Sequence, residues 1–175
     1  MSIVAAFMVP HPPMIVPDVG RGSEKQIEKT VRAYEKVAEE IAALRPETII
    51  ISSPHSIMYA DYFHISPGTG ASGSLSDFNA PNVKFNVEYD EELVNLLCEK
   101  AGALHFPAGT IGEKRKELDH GTMVPLWFIK KKYEPSSTCV RLLLSAGQKN
   151  RNVGTAQHNH VNHVADVSES IGNPD

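Results

Sequence analysis

Features that mark several specialised protein classes are scarce in these 175 residues. Only two cysteines occur, Cys98 and Cys139, and they lie far apart without a CxxC spacing. Their scarcity excludes a disulfide-stabilised secreted scaffold and indicates reduced thiols in the cytoplasm. Even the longest uninterrupted apolar runs, such as Ile3–Val9, are far too short to cross a bilayer. The N-terminus lacks a basic region ahead of its apolar residues, so we predict no signal peptide.

Basic residues are also in short supply. The chain has 17 Lys and Arg against 21 Asp and Glu, which gives a formal net charge of −4. This balance provides no electrostatic reason to expect a nucleic-acid partner, and no basic surface is concentrated enough to reverse it. With 41% hydrophobic and 22% charged residues, the composition is typical of a soluble globular domain. We therefore expect neither a nucleic-acid nor a membrane partner.

The order of apolar segments predicts an α/β fold with a central, mostly parallel sheet flanked by helices. Ile3–Val9 and Thr48–Ile51 are apolar enough for strands buried on both faces. Between them, apolar residues recur at helical spacing over Glu24–Leu44, and Ser23 with Gln26 can form a capping box at the start of that helix. A strand, a crossover helix and a strand are typical of a parallel sheet.

The later segments predict further elements of the same fold. The stretch at 66–82 is rich in Gly, Ser, Pro and Asn, which favours a surface loop. A helix capped by Asp90 follows, and a second helix begins near His120. The predicted strands in this part of the chain are Val83–Tyr89, Leu104–Phe106 and Cys139–Leu144.

The character of the sequence changes after Ser145. Residues 146–175 contain no aromatic residue and no leucine, so this segment can bury little apolar surface. We therefore divide the chain into an α/β domain at 1–145 and a polar, loose tail at 146–175. His158, His160 and His163 in the tail could bind a metal adventitiously. His64 and His105 lie in strand-like stretches, where a structural role is more common than a catalytic one.

Two predicted strands end in a histidine on a proline-stiffened turn. The sequences are Val9-Pro10-His11-Pro12-Pro13 and Ser52-Ser53-Pro54-His55-Ser56. Ligands of parallel α/β sheets gather just beyond the carboxyl ends of strands, so both imidazoles can converge on one point. A single histidine could simply bond a loop carbonyl, but the matched pair favours a shared site, such as a metal site.

A third histidine lies in Leu118-Asp119-His120-Gly121-Thr122. Asp119 or Thr122 can cap the following helix, which places His120 at a helix N-terminus. The positive end of the helix dipole there favours a neutral imidazole, which can act as a base or bind a metal. Gly121 permits close approach of a substrate or of the chain itself. An ordinary capping loop with an incidental histidine is the alternative.

Taken together, these motifs resemble the class III extradiol ring-cleavage dioxygenases, specifically their catalytic B-subunit fold. The resemblance spans about residues 3–145 and includes His11 in His-Pro-Pro, His55 in Ser-Pro-His and His120 in Leu-Asp-His-Gly-x-x-Val-Pro-Leu. It implies that His11 and His55 are ligands of a non-haem Fe(II), with zinc as the alternative metal. It implies that His120 is the catalytic residue that exchanges protons with substrate and oxygen.

The resemblance also implies a reaction and its partners. The substrates would be a small catechol-like aromatic and O₂, and the product a ring-opened semialdehyde acid, as in the catabolism of aromatic compounds. Pro12, Gly121 and Thr122 are the expected substrate-binding residues. The chain would act as a homo-oligomer or with a small partner subunit.

The sequence departs from the family pattern at the third metal ligand. That ligand is a glutamate near the end of the family's chain, whereas the tail here has only Glu169, in a context that does not match. We therefore expect the C-terminal part of the family fold to be missing, by truncation or a frameshift. Two alternatives to ring cleavage follow. One is a metal-binding or protein-interaction module like the related Memo proteins, and the other is an inactive truncated relative.

Overall fold

Six strands form two sheets in the computed structural model, which describes residues 3–55, 59, 61–112, 117–133 and 139–143. The strands are Ile49–Ser53 (β1), Phe63–Ile65 (β2), Gly70–Leu75 (β3), Ala80–Glu88 (β4), Ala108–Gly109 (β5) and Cys139–Leu143 (β6). The larger sheet has the order β1-β6-β2-β5, and the smaller one is the β3-β4 hairpin. In the larger sheet β1 pairs with β6 and β2 with β5 in parallel, while β2 and β6 are antiparallel.

The described residues also form four α-helices. These helices are Pro17–Gly20 (α1), Glu28–Leu44 (α2), Glu91–Ala103 (α3) and His120–Lys130 (α4). Short 3-10 helices precede α1 and α2 and connect β3 to β4. α4 contacts α2, β1 and β3, so it lies at the junction of the two sheets. Helices packed beside a mostly parallel sheet confirm the predicted α/β class.

The sequences of α2 and α4 explain their different places in the fold. α2 buries only one face, through Tyr34, Ala38 and Ile41, as an amphipathic surface helix does. It ends where Arg45 adopts a left-handed φ of 49°. α4 is apolar on all sides and buried along most of its length, which is typical of a central helix.

The main core lies where α2 and α4 meet the sheets. Tyr34 of α2 stacks on Phe128 of α4, with ring centroids 4.3 Å apart and planes inclined by 14°. Such a pair adds about 0.5–1.5 kcal/mol beyond its buried area. Further buried members of this cluster are Ile15, Val16, Ala38, Ile51, Leu75, Ala80, Phe85, Leu118, Met123, Val124 and Leu126.

The predicted strand at Ile3–Val9 is wrong. This segment has no regular secondary structure, and Ile3 and Met8 are each 86% exposed. A strand needs a neighbour to accept its backbone hydrogen bonds, and no described strand pairs with this segment. The predicted crossover unit is therefore absent, and β6 is the parallel neighbour of β1. β1 itself alternates, with Ile50 45% exposed, instead of being buried on both faces.

Other local predictions had mixed outcomes. The stretch predicted as a loop contains β3, where Gly70 permits close pairing because a Cβ there would lie 2.3 Å from the Val87 carbonyl oxygen. Residues 104–106 form no strand, and the short β5 follows them. Residues 23–27 form a 3-10 helix with no side-chain cap, so the capping box is not formed. The strand at β4, the Asp90 cap of α3, and β6 are confirmed.

The predicted tail, with its three histidines and Glu169, lies outside the described residues. The division of the chain at residue 145 therefore stays a prediction. Within the part of the chain that the structure describes, no helix combines the length and the apolar character needed to cross a membrane.

Candidate metal centre and adjoining cleft

Three histidines from distant parts of the sequence meet at one place. His11 lies in the loop before the first 3-10 helix, His55 two residues beyond β1, and His120 at the first position of α4. Their candidate donor atoms all lie within 4.8 Å of one another. Among the described residues no carboxylate belongs to this cluster. The structure thus brings together the three histidines selected from the sequence, while their individual roles stay predictions.

The spacing of His11 and His55 fits two ligands of one cation. Their Nε2 atoms lie 2.7 Å apart, and one of the two must carry the hydrogen of this contact. Two imidazole nitrogens bound at right angles to one ion would lie about 3 Å apart, since metal–nitrogen bonds measure about 2.1 Å. A small ring movement would therefore admit an ion. Imidazole donors favour a transition metal over Ca²⁺ or Mg²⁺.

The His11 loop is tethered to the helical core. The buried hydroxyl of Tyr34 donates a hydrogen bond to the carbonyl oxygen of Pro10, the residue before His11. Burial raises the pKa of this phenol, so it stays protonated and remains a donor. Since Tyr34 also stacks on Phe128, the tether connects His11 to both α2 and α4.

A buried polar network joins the other two histidines. The Ser53 hydroxyl at the end of β1 donates to Asp119 Oδ1 at 2.5 Å and accepts from the His55 backbone amide at 3.3 Å. Asp119 is the N-cap of α4, because its Oδ1 also accepts from the Thr122 amide at 3.1 Å. The Thr122 hydroxyl donates to Asp119 Oδ2 at 3.1 Å. Of the two residues predicted as possible caps, Asp119 and Thr122, the structure shows Asp119 in this role.

Gly121 lies at the closest point between these elements. A Cβ at this position would stand 2.5 Å from Ser53 Oγ and 3.0 Å from both Asp119 Oδ1 and His55 Cδ2. The space permits no side chain without movement of its neighbours. The predicted close approach at this glycine therefore occurs with the chain itself.

The surroundings of His120 favour its neutral form. Burial lowers the pKa of His120 most strongly, and the neighbouring His55 and His11 lower it further, whereas Asp119 raises it. The net effect is a pKa below the ordinary value of 6.5. The ring lies close to the pair, with centroids 4.0 Å from His55 and 5.8 Å from His11. A neutral imidazole at this place can accept a proton.

An open cleft of about 910 Å³ adjoins His55 and His120. The β3-β4 hairpin lines one side, and Phe78, in the turn of that hairpin, meets His120 edge-on with centroids 5.2 Å apart. Small-molecule sites commonly enclose about 300–1,000 Å³, so a single aromatic ring fits easily. Sequence reasoning missed Phe78 because this residue lies in the stretch at 66–82 that is predicted as a surface loop, whereas the structure has β3 and the turn of the hairpin there.

Comparison of the sequence with models of known protein families identifies a family whose chemistry agrees with this site. The model of the family described as "Catalytic LigB subunit of aromatic ring-opening dioxygenase" matches residues 5–168. The chain belongs to this family. The resemblance inferred from the histidine motifs is therefore confirmed, and the match extends past residue 145. LigB dioxygenases depend on a metal, which agrees with the convergence of three imidazoles in this member of the family.

Two curated relatives cover much of this LigB chain. Protein CA_C1420 of Clostridium acetobutylicum is 42% identical over 141 residues, which are 77% of this chain and 30% of the relative. The 2-aminophenol 1,6-dioxygenase beta subunit of a Pseudomonas species is 26% identical over 141 residues, or 76% of this chain and 46% of the relative. The chain thus spans less than half the length of both relatives.

The remaining predicted site residues have different surroundings. Pro12 is half-buried next to His11, and Thr122 is fully buried with its hydroxyl on Asp119. Substrate binding by Pro12, Gly121 and Thr122 stays a prediction. His64, which is buried, and His105, which is exposed, both lie outside the histidine cluster.

Proposed function

We propose that this LigB-family chain provides the catalytic site of an Fe(II)-dependent extradiol dioxygenase acting on a catechol-like aromatic. One observation carries the proposal: the Nε2 atoms of His11 and His55 converge beside His120, and an open cleft with room for an aromatic ring adjoins His55 and His120. Family membership supports dioxygenase chemistry at the level of the family.

The proposed roles follow from the chemistry of the three side chains. His11 and His55 would hold Fe(II) through Nε2, and His120 would face the substrate from a helix N-terminus. Bound iron would supply open positions for both substrates and a route for electrons from the aromatic ring to O₂. A ring nitrogen of His120 would take a proton from a substrate hydroxyl and return it during ring opening. Both atoms of O₂ enter the product as one ring C–C bond breaks, so no external reductant is needed.

The proposal also includes a third metal ligand, an assembly partner and a cellular location. A carboxylate ligand would complete the two-histidine set, and within the described residues the cluster has none. The Pseudomonas relative is a beta subunit, which supports assembly of this chain with a partner subunit. A second copy of the chain is the other assembly that we consider. The separated cysteines favour a cytoplasmic location.

A second candidate function is metal binding or protein interaction without ring cleavage, as in Memo-like proteins. The observation that favours it is the same three-imidazole cluster without a described carboxylate. Such a donor set can hold a zinc ion firmly without promoting oxygen chemistry.

Oxygen consumption separates the two functions. The chain would be loaded anaerobically with Fe(II) and mixed with a panel of catechols, with oxygen uptake and a yellow ring-fission product as readouts. We expect His11→Ala to lose both iron binding and activity. His120→Ala should keep iron affinity within a few-fold and lose activity by about 10²–10⁴-fold. His105→Asn is the matched control, because this exposed histidine lies outside the cluster and asparagine tolerates its positive φ of 51°.

The outcome assigns the function. Tight iron binding without oxygen uptake from any catechol would reject ring cleavage and favour the second candidate. Equal loss of activity in His105→Asn and His120→Ala would contradict the assigned site.

A further inference from the structure

We infer that Ser53 is a positioning residue of the metal centre, whose hydroxyl fixes His55 relative to His120. The inference rests on the proposed metal site and concerns a side chain outside the ligand set. Ser53 ends β1 and is 1% exposed, so it does not face the cleft as an open surface group.

The Ser53 hydroxyl uses both its donor and its acceptor capacity. It donates to Asp119 Oδ1 at 2.5 Å, a short hydrogen bond of the kind expected for a carboxylate acceptor. It accepts from the backbone amide of His55 at 3.3 Å. One oxygen atom therefore contacts both the loop that carries His55 and the residue that precedes His120.

The far end of this link is rigid. Asp119 caps α4, and the fully buried Thr122 holds the carboxylate through its amide and its hydroxyl, both at 3.1 Å. His120 is the first residue of that helix. The carboxylate that receives the Ser53 hydrogen bond thus anchors the helix turn that begins with His120.

The His55 end is exposed and depends on such a link. His55 lies on the surface, two residues past the sheet, with its ring centroid 4.0 Å from that of His120. Glycine at position 121 allows β1 and its following turn to lie this close to the start of α4, because a Cβ there would be 2.5 Å from Ser53 Oγ. The Ser53 hydroxyl therefore occupies a space that only glycine leaves open.

Positioning of this kind affects metal affinity more than overall folding. Ligands held in place before the ion arrives lose little conformational freedom when it binds. Loss of outer hydrogen bonds around metal ligands typically weakens metal binding by about 10–100-fold. Ser53 acts through the backbone of His55, so we expect the lower end of that range for Ser53→Ala.

The test compares Ser53→Ala with Ser66→Ala in the full chain. Ser66 is also 1% exposed but follows β2, outside the histidine cluster. Cobalt(II) dissociation constants would be measured by competition with a chromophoric chelator, together with the visible spectrum of bound cobalt and the thermal midpoint. We expect about ten-fold weaker binding and an altered spectrum for Ser53→Ala. Ser66→Ala should bind within two-fold of the wild type.

Several results would overturn the inference. Wild-type cobalt affinity and spectrum in Ser53→Ala would show a structural role alone, whatever its thermal midpoint. If Ser53→Ala fails to fold, Gly121→Ala provides the second variant, since its methyl group would displace the same hydroxyl. Unchanged affinity there would also reject the inference. A wild-type chain that binds no cobalt would reject it together with the proposed metal site. A metal-loaded chain without oxygen uptake would reject only ring cleavage.

Discussion

Replacing Gly121 by alanine introduces one methyl group at the closest contact between α4 and the end of β1. The new Cβ would stand 2.5 Å from Ser53 Oγ, well inside contact distance, and 3.0 Å from His55 Cδ2. Ser53 is the buried last residue of β1, and His55 is the exposed member of the histidine cluster two residues later. The methyl group therefore cannot be accommodated without displacing the Ser53 hydroxyl.

Opposing effects determine the size of the change. Alanine is favoured over glycine in a helix by about 1 kcal/mol, which by itself would stabilise α4. Overpacking of a well-packed site costs about 1–3 kcal/mol. Loss of the hydrogen bond from Ser53 to the Asp119 carboxylate costs about 1.5–3 kcal/mol more. We expect the free energy of unfolding to fall by about 2–4 kcal/mol.

The assay is denaturant unfolding of the metal-free chain, with Gly102→Ala as the matched control. Gly102 is an exposed glycine in α3, and a Cβ there meets no atom within 4 Å. The control should therefore gain up to about 1 kcal/mol, opposite in sign to Gly121→Ala. If Gly121→Ala were as stable as the control, the close contact with Ser53 and the reasoning built on it would be refuted.

Three further substitutions test other contacts of the site. Tyr34→Phe removes the hydrogen bond to Pro10, so we expect unfolding free energy to fall by about 0.5–1.5 kcal/mol in urea titrations, and cobalt affinity to fall several-fold. His120→Gln tests pH dependence in the metal-free chain. The pKa of His120 is lowered on folding, so the unfolded chain binds the extra proton first, and stability is lost as pH falls below about 6.5. The drop in unfolding free energy between pH 7.5 and pH 5.5 should be smaller in the variant. Phe78→Ala removes the aromatic contact with His120 at the cleft and should raise the KM for a catechol more than it lowers kcat.

Each of these expectations can fail in a distinct way. Unchanged cobalt affinity in Tyr34→Phe would mean that the Pro10 tether does not position His11. An equal loss of stability in acid for His120→Gln and wild type would contradict the lowered pKa of His120. A change in kcat alone for Phe78→Ala would argue against contact between Phe78 and the bound ring.

The parts of the structure that depend on local chemistry were predictable. Asp90 and Asp119 cap their helices through bonds to residues three positions later, and such short-range patterns are legible in a sequence. The meeting of His11 and His55 was also anticipated, although the strand expected before His11 is absent. The proline residues beside both histidines were therefore a better guide to this site than the apolar pattern that predicts a strand before His11.

The features that sequence reasoning missed depend on distant partners. Ile3–Val9 has the composition of a strand, but a strand exists only where another backbone pairs with it. β3 was missed for the converse reason, because its small residues gain order from pairing with β4. Ser53 belongs to the Ser-Pro-His motif that contains His55. Its hydrogen-bond partner Asp119 is 66 positions away, and the spacing of residues in a sequence does not indicate such a contact.

The place of β6 in the larger sheet has a consequence for the growing chain on the ribosome. β6 lies between β1 and β2, and Ile49 pairs with Cys139, so about half of the 175 residues lie between the two partners. Because β6 must be synthesised before this long-range pairing can form, β1 remains with that edge unpaired and open to other chains while about half of the 175 residues are made. At about 5–20 residues per second that interval lasts several seconds or more. We therefore expect nascent chains stalled before residue 139 to need chaperone protection, and expression yield to depend on how quickly β6 emerges.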